Sequence, residues 1–171
     1  MGWYVIQVSV NHEAKTANRC CTMISKDILR ECFIPEYIRM KRYNGSWHEE
    51  REILFPGYVF MISDHIVQLN MELKRIPDFA RIIGKKKSDI FPLDAEEIAF
   101  LKEFAHRDHT VAMSHGYIEG DRIIVCDGPM KGKEGLIVRI NRHKRIAEIQ
   151  LKMFNKNAVI KVGLEIISKS R

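Results

Sequence analysis

The chain opens on a near-continuous apolar run, "WYVIQVSV" at 3–10, rich in aromatic and β-branched residues, which predicts a buried strand. Residues 12–29, "HEAKTANRCCTMISKDIL", place Ala17, Cys21, Ile24 and Ile28 three and four apart, the spacing of one helix face. "CFIPEYIRMKRY" (32–43) reads as a strand in which Pro35 marks an edge or bulge, and "NGS" at 44–46 is a hairpin turn. Two strand-like runs in "WHEEREILFPGYVFMIS" (47–63) meet near Phe55-Pro56-Gly57. Residues 65–76 predict a helix with Ile66, Leu69 and Leu73 aligned, and "FARIIG" (79–84) a short strand before the exposed charge run "KKKSD". A last helix over 94–106 opens on Asp94 with Glu97 three residues on, a capping box, and turns Ile98, Leu101 and Ala105 inward.

Periodicity stops at 106–116, "HRDHTVAMSHG", which reads as a linker. The pattern then becomes all-β, about five short strands separated by turn residues. In "AEIQLKM" (147–153), Ala147, Ile149, Leu151 and Met153 alternate strictly with Glu148, Gln150 and Lys152, as in a half-buried strand. So many short strands in so few residues predict a small closed barrel. The fold class is therefore α+β: an antiparallel sheet with helices over 1–106, a linker at 107–116 and a small β-barrel over 117–171.

Charge sharpens this division. Residues 1–110 hold 16 Lys/Arg and 16 Asp/Glu, whereas residues 111–171 hold 12 and 6, so the whole net charge of +6 falls in the last third. A basic module beside a neutral one points to a polyanion as the partner of one part only. No apolar run approaches the ~20 residues that span a bilayer. The N-terminus carries no signal-peptide pattern, and Ile6 stands where a myristoylation motif needs Ser or Thr. The expected location is the cytoplasm, without membrane contact.

Chemistry is sparse. "GPMKGKEG" (128–135) resembles a phosphate loop, but only three residues separate Gly128 from Gly132, Glu134 follows Lys133, and the flanks "DRIIVC" and "LIVRI" are strands. A phosphate loop opens a helix, so this is a turn. Cys20, Cys21, Cys32 and Cys126 lack zinc or disulfide spacing and read as small apolar side chains. His106, His109 and His115 sit in the linker without supporting Cys or carboxylate ligands. Glu49, Glu50 and Glu52 form a solvated strand face rather than an acid/base pair. The sequence thus predicts no catalytic residue, no metal site and no cofactor.

Nucleic-acid chemistry is better represented. "NRHKR" puts Arg142, His143, Lys144 and Arg145 at one hairpin tip; Lys131 and Lys133 lie in the preceding turn, and Lys152, Lys156 and Lys161 follow. Turns and one strand face of a barrel can gather these into one basic surface for RNA phosphates, with His143 or Phe154 for stacking. Phe154 is more often core, and so by pattern are Phe55 and Tyr58 beside their Pro-Gly corner.

"WYVIQ", "LFPGYVF" and "GDRIIVCDGPMKGKEGLIVRI", in that order, resemble the NusG family of transcription elongation factors, the last run being similar to the KOW motif of its SH3-like barrel. The resemblance spans nearly the whole chain. It implies an N-terminal domain that docks on the clamp of RNA polymerase through the corner Phe55, Pro56, Gly57 and Tyr58. It also implies a monomer whose barrel recruits a ribosomal protein, a termination factor or RNA, and a contact with non-template DNA in some members. The chain departs from the general factor at "RIPDF" (75–79), at Met130 and at "FNK" (154–156), and carries a heavier basic tip. These changes resemble the specialised LoaP group, antitermination regulators whose barrel is implicated in recognising a nascent leader RNA hairpin. The alternatives are a general elongation factor whose barrel binds proteins, and a ribosome-associated KOW protein.

Overall fold

The computed structural model describes residues 1–76 and 90–167. The expected strand at 79–84, the charge run 85–89 and most of "RIPDF" lie outside them. The chain divides into two units, Met1–Ile34 with Phe55–Ile98, and Pro35–Leu54 with Ala99–Arg171.

The first unit is built on β1 (Gly2–Gln7), α1 (Glu13–Met23), β2 (Glu31–Phe33), β5 (Tyr58–Ser63), α2 (Ile66–Lys74) and β6 (Phe91–Pro92). Its sheet runs in the order β2-β5-β1-β6, with antiparallel pairings. Ile6, Val8, Val59 and Met61 join Cys20, Ile24 and Leu29, and Leu69, Leu73 and Ile76, in one apolar core. The first helix is shorter than its periodicity predicts. It stops at Met23, Ile24 is extended, and its buried face carries Glu13, Thr16 and Cys20 rather than Cys21, which is exposed. Ile24 and Ile28 reach the core from beyond the helix end, so counting them as helical shifts the face by one residue. In α2, Leu69 and Leu73 are buried as expected; Ile66 is exposed, and Ile76, past the helix end, is inside.

The second unit contains β3 (Glu36–Tyr43), β4 (Ser46–Ile53), β7 (Thr110–Val111), β8 (Ser114–Glu119), β9 (Arg122–Asp127), β10 (Ile137–Asn141), β11 (Ile146–Met153) and β12 (Lys156–Ile166). Asn44 and Gly45, at φ 51° and 78°, close the β3–β4 hairpin with both turn residues left-handed, which Asn-Gly tolerates best. The predicted run at 32–43 is broken at Pro35 into β2 and β3, which belong to different sheets. The last five strands form a barrel-like sheet in the order β10-β11-β12-β8-β9. The alternation at 147–153 holds: Ala147, Ile149, Leu151 and Met153 are buried. Residues 107–116, which read as a linker, carry β7 and the start of β8; a two-residue strand has no period to count.

The third helix among the described residues, α3 (Ala95–Phe104), is capped as its sequence predicts. The Glu97 amide donates to the Asp94 carboxylate at 2.8 Å, and the Asp94 amide donates to Glu97 at 2.9 Å. Leu101 and Phe104 are buried, with Ile98 and Ala105 half-buried. Among the described residues, no helix is long and apolar enough to cross a membrane.

Within the second unit the β3–β4 hairpin packs on the barrel strands. β7 runs parallel to β3, pairing Thr110 with Glu36. On β12, Gly163 is buried, and a Cβ there would collide with the Ile38 carbonyl of β3 and the Met113 sulfur. Glycine inside a strand marks such a close backbone approach. Gly163→Ala is expected to destabilise the fold by about 1–3 kcal/mol through overpacking. Chemical denaturation checks this; a midpoint equal to wild type would show that the hairpin can retreat freely.

Candidate nucleic-acid interface

The Phe55–Tyr58 corner is held from beneath. Gly57 has φ 83°, and its amide donates to the buried Glu13 carboxylate at 2.7 Å. Its carbonyl accepts the Val8 amide at 2.7 Å. Phe55 is 2% exposed, with its ring 5.5 Å from that of Phe60, so it belongs to the core. Pro56 is exposed and Tyr58 half-buried. Glu13 was invisible to sequence reasoning because its partner lies 44 residues away.

The turn at 128–135 has no free cradle for phosphate. The Met130 amide donates to Ser114 Oγ at 3.0 Å, the Lys131 amide to the Gly128 carbonyl at 3.1 Å and the Lys133 amide to the Met130 carbonyl at 2.9 Å. Glu134 accepts the Val125 amide at 3.0 Å, and its surrounding backbone amides hold its carboxyl below the usual carboxylate range. The glycine-rich loop is a turn, closed on itself, and Met130 fills the space beneath it at 0% exposure.

The basic candidates do not gather on one surface. Lys133 is paired with Glu103 at 2.5 Å, whereas Lys131 is exposed in the same turn. Lys152 and Lys156 lie at the other end of the β11–β12 hairpin from Ile146. Lys152 is six positions along the strand from Ile146, about 20 Å at the usual rise. Lys161 stands opposite Glu148, which also faces Arg139 across β10, so one carboxylate sits between two cations. Arg139, Lys144 and Lys161 line a hollow of about 190 Å³ on one side of the tip.

The tip itself is ordered by its sequence. Asn141 Oδ1 accepts the Lys144 amide at 3.0 Å, and Arg145 takes φ 52°. Arg142, His143 and Lys144 are exposed, but Arg145 is anchored. Its guanidinium pairs with Glu165 at 3.3 Å and lies 3.8 Å over the Trp47 ring. Arg42, Trp47, Arg142, His143, Arg145 and Glu165 line a second hollow of about 510 Å³. Sequence reasoning named Arg142, His143 and Arg145 but missed Arg42 and Trp47, which arrive from the hairpin. The available signal was the glycine inside the strand run "VGLEI" of β12.

Two of the three clustered carboxylates, Glu50 and Glu52, are spent on structure. Glu50 pairs with Lys41 at 3.4 Å. Glu52 accepts from the Tyr37 hydroxyl at 2.7 Å and pairs with Arg39 at 2.9 Å. Burial opposes the charge on Glu52, but the Tyr37 hydroxyl and the Arg39 charge hold its carboxyl below its ordinary value of 4.5. Burial and this carboxylate together push the Tyr37 hydroxyl well above its usual range. A depressed folded-state value means that this stabilisation is present above about pH 4.5 and is lost as pH falls through the folded value. Glu52→Gln is expected to lower Tm at neutral pH and to shrink the fall in Tm on acidification below pH 4.5. An unchanged acid profile would remove Glu52 from the account.

His106 and His109 lie beyond α3, which ends at Phe104. His115 Nδ1 is 2.7 Å from Asp127. Among the described residues, no three His, Cys, Asp or Glu are placed to hold a metal ion.

Residues 1–102 match the family described as transcription termination factor nusG, and residues 119–152 match the KOW motif. The chain belongs to the NusG family. The transcription termination/antitermination protein NusG of Campylobacter jejuni is 20% identical over 98% of this chain and 96% of that protein. The protein of the same name from Lactococcus lactis is 27% identical over 97% of this chain and 91% of its own length. A solved structure of Thermotoga maritima NusG covers 96% of this chain and 93% of that chain, with a TM-score of 0.51 and 16% identity, which shows a shared fold. The α+β class, with a KOW segment in the barrel-like sheet, is therefore that of the NusG family. The β3–β4 hairpin falls within the NusG match by sequence, yet in space it joins the unit that carries the KOW segment.

Proposed function

We propose that this NusG-type transcription factor is an antitermination regulator that acts without catalysis, in the cytoplasm, on a moving RNA polymerase. Residues 1–106 bind the polymerase clamp through the corner of Phe55, Pro56, Gly57 and Tyr58, with Pro56 and Tyr58 making the contact and buried Phe55 and Gly57 holding them in place. Residues 117–171, beyond a connector at 107–116, bind nascent leader RNA through the tip of Arg142, His143, Lys144 and Arg145. Lys131, Lys152, Lys156 and Lys161 give outlying phosphate contacts, and Lys133 joins them only by leaving Glu103. Two weak contacts on one complex reinforce each other by raising effective concentration.

The observation that carries the RNA half is the position of the charge: the whole excess of +6 lies in residues 111–171, and three exposed basic side chains stand on one ordered turn. The same heavy tip supports the specialised, LoaP-like reading over a general elongation factor whose barrel binds a ribosomal protein or a termination factor. The test is transcription by the host polymerase across a terminator, with the full chain added. The proposal expects more readthrough on templates carrying the chain's own leader than on leaderless ones. Equal readthrough on both would favour the general factor, and no change on either would overturn the antitermination reading.

A further inference from the structure

The larger hollow beside the tip asks for an occupant that the barrel alone does not explain. Arg42 and Trp47 are a directly opposed pair across β3 and β4, so both side chains leave the same face of the hairpin. That face meets the tip, where the Arg145 guanidinium lies 3.8 Å over the Trp47 ring. Arg42 and Arg142 make no ion pair among the described residues, and Glu165 faces Arg145 at 3.3 Å and His115 at 3.8 Å. Three guanidinium groups against one carboxylate leave an excess of two positive charges around about 510 Å³, within the size range of small-molecule sites. On the other face of the hairpin, Tyr43 and His48 stack at 3.8 Å.

These parts match a nucleotide that has left its stack. Guanidinium groups hold phosphate by paired hydrogen bonds, and an unpaired base stacks on an aromatic ring or an arginine plane. We propose that this hollow receives one unpaired nucleotide of an RNA loop, with its phosphate between Arg42 and Arg142 and its base against the Arg145–Trp47 stack. RNA binding is then a property of the barrel and the β3–β4 hairpin together. The inference rests on the RNA-binding reading above and adds two residues outside the barrel to it. A looped RNA is favoured over a duplex because a stacking site needs a base that is free to turn out.

The test uses the full chain and a pool of RNA stem–loops with randomised loops, enriched on the immobilised protein. Trp47 is its own reporter, since the only other tryptophan, Trp3, is 6% exposed and shielded. Saturating RNA is expected to change tryptophan emission in the wild type and not in Trp47→Phe. Trp47→Ala should weaken binding by roughly five- to hundredfold, the range for one lost base stack. Arg42→Ala, at an exposed position where the fold has little to lose, should lower the salt slope by about 0.7–0.9. If the enriched RNA binds through the tip but leaves emission unchanged and ignores Arg42→Ala, the hollow is not the site, although the RNA reading stands. If no RNA is enriched, that reading falls and the site with it. Equal binding of the same loops made as DNA would overturn the assignment to RNA.

Discussion

Phe55→Ala is expected to unfold the first unit rather than to report on docking. The ring is buried against Phe60, and removing a buried phenylalanine costs about 3–5 kcal/mol. That is a large share of the ~5–15 kcal/mol by which a folded domain is stable. The family resemblance places Phe55 with Tyr58 in a polymerase contact, but the two side chains sit differently. Tyr58, half-buried at the start of β5, is where the corner can meet a partner. Tyr58→Ala should therefore reduce retention of polymerase on the immobilised chain while Tm shifts little. Phe55→Ala should lower Tm strongly and lose polymerase only as the fold is lost. Both are read by one pull-down beside one thermal melt. A Tyr58→Ala protein that keeps its fold and holds polymerase as the wild type does would remove the corner from the interface.

At the tip, the structure separates residues that the sequence treats alike. Arg142 and Lys144 are exposed, and their loss should leave the fold intact. Replacing both with Ala is expected to lower the slope of log affinity against log salt by roughly 1.4–1.8, from about 0.7–0.9 for each phosphate contact. Arg145→Ala behaves otherwise. It removes the ion pair with Glu165 and the stack on Trp47, so a lower Tm should accompany any loss of binding. An unchanged slope in the Arg142 and Lys144 double variant would clear the tip of phosphate contact, and a wild-type Tm in Arg145→Ala would show that its anchoring contributes little.

Much of the fold was legible where one period governs a segment. The alternation at 147–153 names its buried residues because a strand face repeats every second position, and Asn44-Gly45 names its turn because both residues tolerate positive φ. The capping box at Asp94 was legible for the same local reason. Legibility failed where the period changed without punctuation. Nothing at Met23 stops α1 in the pattern, so Ile24 and Ile28 counted as helical and Cys21 was placed inward instead of Thr16 and Cys20. It failed again where partners are distant in sequence. Glu13 looks like an ordinary first-turn carboxylate until Gly57 is set on top of it. Among the site residues, the cluster at 142–145 announced itself by charge density. Trp47 and Arg42 did not, because their pairing with the tip depends on a hairpin docking far along the chain, and Gly163 was the one local trace of it.

The central claim is that one chain holds polymerase and leader RNA at once. The most direct measurement is to recover the full chain from its host under mild crosslinking, identify the proteins by mass spectrometry and sequence the RNA in the same sample. The account predicts polymerase subunits together with one structured leader, with RNase removing the leader and leaving polymerase bound. Polymerase with diffuse RNA, or ribosomal subunits without polymerase, would contradict it.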